Sequence, residues 1–364
     1  MLDELRHAAT RQRTARAVRR LMQDSERLLA DEAERGGLTV AGELIDRLEG
    51  LEEEQLDGYF DYLANDLSPD PMAVLRCAEA YAAEPGARTL MALTAAAEPP
   101  RQELLRRLNR MPGGTAAVLA LRRALLPRLR KRRELAALES DLQHLLASWF
   151  NPGFLQMKRV DWNSPAQLLE RIIHHEAVHT IDGWDDLRRR LQPDRRCFAF
   201  FHPQLGEEPL IFVEVALLPE MPEAIGPLID KASTPIAADR FKVAAFYSIS
   251  NCEPGLRGVS LGNFLIKTVA QQLQRELPQV KTFCTLSPIP GLARWMLSQP
   301  DPAALPKLRK GAAAELQEAR DSLLKLCGGD LSALQAIRLR GSTPASCSSA
   351  AAPLRTLGSA AGSG

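Results

Sequence analysis

The chain has 364 residues, of which 45% are apolar and 25% are charged, and its formal net charge is +1. A chain of this length predicts two domains, each able to bury its own core. No apolar stretch reaches the ~18 uncharged residues of a membrane span, and the small net charge argues against nucleic acid held by bulk electrostatics. We therefore expect neither a membrane nor a nucleic-acid partner.

The first half of the sequence predicts helices only. Leu44, Ile45, Leu48 and Leu51 recur at helical spacing, and a similar apolar pattern runs from 135 to 149. Turn-like Pro and Gly pairs separate these segments. Residues 1–150 therefore predict a helical bundle, and we expect it to make subunit contacts because bundles of this kind commonly do.

The composition changes near residue 151. Strand-like runs then alternate with helical patterns, which predicts a mixed α/β domain over 151–340 and an α+β two-domain class for the chain. Residues 341–364 are low in complexity and predict a disordered tail. The predicted strands are 197–202, 209–218, 241–250 and 281–286, and the predicted helices are 166–175 and 259–277.

The cysteines predict a reducing compartment. They are widely spread and form no CxxC pair, so neither structural zinc nor a disulfide scaffold is favoured. The N-terminus carries Asp3 and Glu4 and lacks the apolar region of a secretory signal. We expect a cytoplasmic protein. The six cysteines are Cys77, Cys197, Cys252, Cys284, Cys327 and Cys347.

A strand, a glycine-containing loop and a helix follow one another after residue 241. The sequence NCEPGLRG leads into a helix that we expect to begin around Gly258. Amides at a helix N-terminus suit a phosphate or pyrophosphate. Gly258 and Gly262 would let a ligand approach the main chain, and Arg257 would add charge. A plain strand-to-helix turn is the alternative, and the full GxGxxG pattern of a dinucleotide site is absent.

Three other segments invite a chemical interpretation. Ser287 follows a predicted strand and precedes Pro288, so it is either a rigidly presented hydroxyl or a turn residue. His175-Glu176-Ala-Val-His179 satisfies HExxH, but no third zinc ligand is evident, and a helix end is the favoured alternative. The basic run 128–133 indicates a solvated helix face rather than a nucleic-acid site.

Several of these segments together resemble one family. FNPGFLQMKRVDWNSPAQLLERIIHHEAVH, GWDDLRRRL, PDRRCFAFFHP, AAFYSIS, GLRGVSLGNFLIK and TFCTLSPIPGLARW occur in this order between about 151 and 295. In this order and spacing they resemble the malonyl-CoA decarboxylase family, and the helical first half is similar to the N-terminal domain of that family.

The resemblance implies a fold, a reaction and a site. It implies an acetyltransferase-like (GNAT-like) catalytic domain behind a helical oligomerisation domain, a tetramer, and conversion of malonyl-CoA to acetyl-CoA and CO2 without a metal or cofactor. Ser287 would belong to the catalytic pair, and Ser248 would occupy a position linked to activity. The malonyl-CoA-binding loop would comprise Arg257, Gly258, Val259, Ser260, Leu261, Gly262 and Asn263, with Ser287 contacting the substrate as well.

One departure from the family pattern stands out. The family places the histidine partner of the serine in a later segment, whereas the last histidine here is His202. The resemblance therefore predicts an incomplete catalytic domain and impaired activity. A GNAT-like acyltransferase and a non-catalytic CoA-ester-binding subunit remain alternatives.

Overall fold

A computed structural model describes residues 2–30, 33–288, 298 and 311–326. Within them the chain divides into two compact units. The first unit holds residues up to 177 together with 197–213 and 249–272. The second unit holds 178–196, 214–248 and the described residues from 273 onward. The predicted tail, 341–364, lies outside the described residues.

The described part of the first half is helical, as the sequence predicts. The start of the helix that begins at Pro71 follows from its local sequence. The Asp70 carboxylate caps the helix by accepting a 3.0 Å hydrogen bond from the Met72 amide, and Pro71 takes the first helical position. Buried leucines such as Leu104 and Leu138 form the core between the helices. The helices are α1 (Leu2–Leu29), α2 (Ala33–Glu49), α3 (Glu53–Asn65), α4 (Pro71–Ala83), α5 (Ala87–Ala97), α6 (Pro100–Asn109), α7 (Gly114–Leu125) and α8 (Ala136–Trp149).

The basic run departs from its prediction. It forms two short 3-10 turns, Arg128–Arg130 and Arg133–Leu135, instead of a helix face. The Arg128 guanidinium pairs with the carboxylates of Glu53 and Asp57 on α3. The run therefore joins two parts of the helical region through ion pairs.

Strands and further helices follow residue 155. The strands form a five-stranded sheet in the order β1-β2-β3-β4-β5; β1 and β2 are antiparallel, and β4 and β5 are parallel. A parallel pair needs a crossover connection, which α12 supplies. The elements are β1 (Gln156–Val160), α9 (Ala166–His175), α10 (Gly183–Arg190), β2 (Arg195–Phe201), β3 (Pro209–Leu218), α11 (Gly226–Ile229), β4 (Val243–Asn251), α12 (Gly262–Glu276), β5 (Thr282–Thr285) and α13 (Ala312–Leu326).

The second unit has its own apolar core. Residues from β3, β4 and β5 pack there with Leu228 of α11, and all of them are buried. Because the strand residues are buried, their sequences are nearly continuous apolar runs, and these runs predict the strands. Among the described residues, none of the helices combines the length and the apolar character needed to cross a membrane.

Candidate ligand-binding loop and serine segments

The β4–α12 loop, residues 252–261, confirms the predicted strand–loop–helix order but not the predicted start of the helix. After β4 the chain makes a 3-10 turn at Pro254–Leu256, and α12 begins only at Gly262. Gly258 has φ +83°, a left-handed conformation that cannot continue a right-handed helix. The N-terminal amides of the helix therefore lie four residues later in the chain than the sequence predicts.

Two charged side chains, both in the first unit, form hydrogen bonds with the main chain of the first half of this loop. The Glu253 carboxylate accepts a 2.7 Å hydrogen bond from the Gly255 amide. Arg122 of α7, which is 1% exposed, donates to the carbonyl oxygens of Gly255 and Arg257 at 2.5 and 2.7 Å. The loop is thus fixed to the helical region through its main chain.

The two glycines of the loop differ in their surroundings. A Cβ on Gly258 would lie 2.8 Å from Nε2 of Gln143, so this glycine is packed against protein and offers no space to a ligand there. A Cβ on Gly262 would meet no atom within 4 Å. Protein atoms therefore occupy the Cβ side of Gly258, whereas that side is open at Gly262. Close approach of a ligand to these glycines stays a prediction.

Replacing each glycine by alanine tests this difference. Gly258→Ala is expected to lower the free energy of unfolding by about 1–3 kcal/mol, because alanine is strained at positive φ and would collide with Gln143. Gly262→Ala, at the first turn of α12, is expected to leave stability unchanged or raise it slightly. Urea unfolding of both variants gives the comparison, and equal losses would contradict it.

The other predicted loop residues divide by exposure. Arg257 and Ser260 are exposed, which leaves their side chains able to meet a ligand. Leu261 is 2% exposed, so its side chain belongs to the core, and Val259 is half-buried. The side chain of Asn263 lies outside the described residues.

The two predicted serines lie in the second unit and differ in exposure. Ser248 of β4 is 1% exposed. Ser287 is exposed and stands two residues after β5, where the Leu286 amide donates to the Phe246 carbonyl at 2.8 Å. The Ser287 hydroxyl is therefore presented at the end of a strand, as the sequence predicts.

The helical zinc arrangement is absent. Helix α9 ends at His175, and Glu176 already has extended backbone angles (φ −66°, ψ 108°). The HExxH residues therefore do not share one helical face, and no group of metal-ligating side chains occurs among the described residues. Burial lowers the pKa of His175, with His174 adding to the shift. The helix-end interpretation of this segment is confirmed.

Two cysteines near these segments are poor nucleophiles. Burial raises the pKa of the Cys252 thiol to about 12, and the Glu176 carboxylate adds to the shift. Burial also raises the pKa of Cys284. Both side chains are therefore thiols at neutral pH, whereas cysteine chemistry requires the thiolate.

Comparison with known proteins decides the family. The malonyl-CoA decarboxylase N-terminal domain model matches residues 67–150, and the C-terminal domain model matches 153–330. A solved malonyl-CoA decarboxylase from Rhodopseudomonas palustris is 43% identical, with a TM-score of 0.73, over 85% of this chain and 80% of that chain. The chain belongs to the malonyl-CoA decarboxylase family. A malonyl-CoA decarboxylase from Agrobacterium vitis is 42% identical, with a TM-score of 0.73, over 87% of this chain and 78% of that chain.

Curated members of the malonyl-CoA decarboxylase family from animals are also similar. The mitochondrial malonyl-CoA decarboxylase of Anser anser anser is 38% identical over 205 residues, which is 55% of this chain and 41% of the other. The Mus musculus protein of the same name is 38% identical over 200 residues, with 53% and 41% coverage. The matched segment thus spans less than half the length of these relatives. The resemblance seen in the sequence is confirmed at the level of the family.

The sequence motifs of this malonyl-CoA decarboxylase family member do not predict that Arg122 and Gln143 contact the loop. A signal for Arg122 does exist, because it follows Val118 by four residues and precedes Leu125 by three, on the apolar stripe of α7. A charged residue on a buried stripe indicates a specific buried partner. Which partner it meets depends on residues more than 130 positions away.

Proposed function

We propose that this chain binds malonyl-CoA and converts it to acetyl-CoA and CO2. The observation that carries the proposal is the 43% identity and TM-score of 0.73 to the Rhodopseudomonas palustris malonyl-CoA decarboxylase. In the reaction, the C–C bond to the carboxylate breaks, CO2 leaves, and the electron pair forms an enolate that is then protonated on carbon. The thioester accepts the electrons, so the chemistry requires no metal or organic cofactor.

The residues of the β4–α12 loop, with Gly262 and Asn263, would bind the coenzyme A part. Amides in the first turn of a helix lack intrahelical acceptors and attract anions, which suits the diphosphate. The open space at Gly262 and the exposed guanidinium of Arg257 support this role. Two of the predicted loop residues, Arg257 and Ser260, would contribute their exposed side chains. The others would contribute their main chain: Gly258, Val259 and Leu261.

Ser287 would contact the malonyl group. Its exposed hydroxyl can donate a hydrogen bond to the thioester oxygen, on which negative charge develops as CO2 leaves. Ser248 of β4 is buried, so we propose that it supports the site from within the sheet and does not contact the substrate directly.

The decisive assay supplies malonyl-CoA labelled in its free carboxyl group, without any acceptor amine. Labelled CO2 and an equal amount of acetyl-CoA are expected. An acyltransferase would require an acceptor, and a binding-only subunit would release no CO2. Calorimetry with acetyl-CoA on the same folded material separates a binding-only subunit, which binds without releasing CO2, from a chain that binds no CoA ester, and the second result contradicts the proposal entirely.

We also propose a GNAT-like fold for the sheet-containing part, a domain division at 150/151 and 340/341, and a cytoplasmic location. The antiparallel β1–β2 pair, followed by a parallel β4–β5 pair joined through a ligand-suited loop and α12, supports the fold proposal. A crystal structure with acetyl-CoA would test it, and cell fractionation would test the location.

A homo-oligomer, and specifically a tetramer, is proposed as the assembled state. Helices α4 and α5 form a hairpin on which no residue is buried. Its apolar side chains Met72, Leu75, Leu90 and Met91 are 58%, 49%, 46% and 72% exposed. Several large, strongly exposed apolar side chains on one helical hairpin are typical of an interface, and a second copy of the chain would cover them.

Charged substitutions on this hairpin test the assembly. We expect Leu75→Glu combined with Met91→Glu to reduce the mass measured by light scattering, because burying two carboxylates in an apolar interface is unfavourable. Phe154→Glu, at a residue that is 62% exposed elsewhere in the chain, is the matched control. A parent protein that is monomeric, or a double variant with the parental mass, would contradict this proposal.

A further inference from the structure

Two side chains of the helical region donate hydrogen bonds to three main-chain carbonyl groups of the β4–α12 loop. Arg122 donates to the carbonyl oxygens of Gly255 and Arg257, at 2.5 and 2.7 Å. Gln143 of α8 donates to the carbonyl oxygen of Gly258 at 3.0 Å. The main chain is therefore held at three of four successive residues, while the side chain of Arg257 stays exposed.

The guanidinium of Arg122 is neutralised where it lies. Glu139 of α8 accepts from Nη2 at 2.8 Å and from Nε at 3.2 Å, and the acid is mostly buried. This two-bond pairing fixes the plane of the guanidinium, so its other N–H groups point in set directions. A lysine, with a single ammonium group, cannot reproduce one pairing and two carbonyl contacts in this fixed geometry.

Gln143 follows Glu139 by one helical turn and contacts the loop at Gly258, the residue with positive φ. Its Nε2 lies 2.8 Å from the place that a Cβ on Gly258 would occupy. The positive φ of Gly258 and its carbonyl hydrogen bond thus belong to one arrangement. Arg122, Glu139 and Gln143 together form a support for the loop, which we call the α7–α8 support.

We propose that Arg122 and Gln143 are positioning residues that hold the β4–α12 loop in its ligand-binding conformation before the CoA ester arrives. This inference rests on the proposed function, because it assigns the loop to the CoA part of the substrate. A loop already ordered in the free protein loses little conformational freedom on binding, so affinity is higher than for a mobile loop. Neither side chain is proposed to touch the reacting atoms.

The test compares Arg122→Lys and Gln143→Leu with Arg101→Lys. Arg101 is the matched control, because it is also buried on a neighbouring helix, pairs with Asp141 at 2.6 Å and donates to two main-chain carbonyls, yet none of its hydrogen bonds goes to the loop. Calorimetry with acetyl-CoA is expected to show about 10- to 100-fold weaker binding for both loop variants. Arg101→Lys is expected to bind like the parent while losing thermal stability.

Two further readouts separate positioning from general damage. In steady-state assays with malonyl-CoA, Gln143→Leu is expected to raise KM and leave kcat within about twofold of the parent, since its contact concerns binding and not chemistry. Hydrogen exchange without ligand is expected to be faster at the loop amides of Gln143→Leu and unchanged in Arg101→Lys. Gln143 is only half-buried, so this variant tests the inference even if Arg122→Lys fails to fold.

The outcomes distinguish this inference from the proposed function. If the parent binds acetyl-CoA and both loop variants bind it equally well, with unchanged hydrogen exchange, the α7–α8 support has no positioning role. If the parent binds no CoA ester, the proposed function fails, and the inference fails with it.

Discussion

Arg190→Met is expected to lower the free energy of unfolding by about 3–5 kcal/mol, because it removes a buried cation that pairs with two buried carboxylates. Arg190 is 2% exposed and pairs with Asp186 and Glu214, each at 3.0 Å. Burial alone would lower the pKa of Arg190, but Glu214 and Asp186 outweigh burial and hold that pKa above its ordinary value. The loss is a large part of a typical total stability of about 5–15 kcal/mol.

Urea unfolding followed by circular dichroism measures the effect of Arg190→Met. Arg188→Met is the matched control, since Arg188 is exposed on the same helix, α10. We expect the control to change the free energy of unfolding by less than about 0.5 kcal/mol. Equal changes in the two variants would show that the Asp186–Arg190–Glu214 cluster does not stabilise the second unit.

Two other buried arginines explain why one strand is predicted with the wrong start. The 209–218 and 166–175 predictions match β3 and α9 at both ends. Strand β3 is a nearly continuous apolar run between two prolines, and α9 follows Pro165 with its buried residues at helical spacing. The second strand was predicted from 197, but β2 begins at Arg195. Arg195 and Arg196 are buried, and although Asp194 precedes Arg195 directly, the partner of Arg196 is Glu276, 80 residues later, which no local pattern reveals.

Strand β1 was not predicted. Its sequence, Gln156–Val160, carries two basic residues and only one buried residue, so it lacks the alternation of a half-buried strand. It lies at an edge of the sheet, where charged side chains are common because they discourage pairing with other chains. Its place depends on pairing with β2, which is a long-range property.

The candidate site was predictable in its parts but not in its support. Gly258, Gly262 and Arg257 follow from the local strand–loop–helix pattern, and Ser287 follows from its place after a strand. The predicted start of α12 is four residues too early, because the pattern places Gly258 in the helix, whereas its hydrogen bond to Gln143 accompanies a positive φ. Contacts between α7, α8 and the loop span more than 110 residues and leave no local signal.

Ser287→Ala is expected to lower the rate of CO2 release from malonyl-CoA by about 10²- to 10³-fold, the usual effect of removing one hydrogen-bond donor to a developing oxyanion. Ser287 is exposed, so the substitution leaves no cavity and thermal stability should stay at the parental value. Affinity for acetyl-CoA should change little, since most of the binding would come from the β4–α12 loop. The readouts are labelled CO2, thermal unfolding and calorimetry on one preparation.

Ser287→Thr and Ser298→Ala serve as controls for the role of this hydroxyl. The threonine retains a donor at the same position and should recover part of the rate, whereas Ser298 is an exposed serine with no proposed role and its variant should keep the parental rate. A parental rate in Ser287→Ala would remove this serine from the mechanism. Loss of both rate and acetyl-CoA affinity would instead place it in CoA binding, because a group that acts only on the developing charge alters kcat without altering the affinity for product.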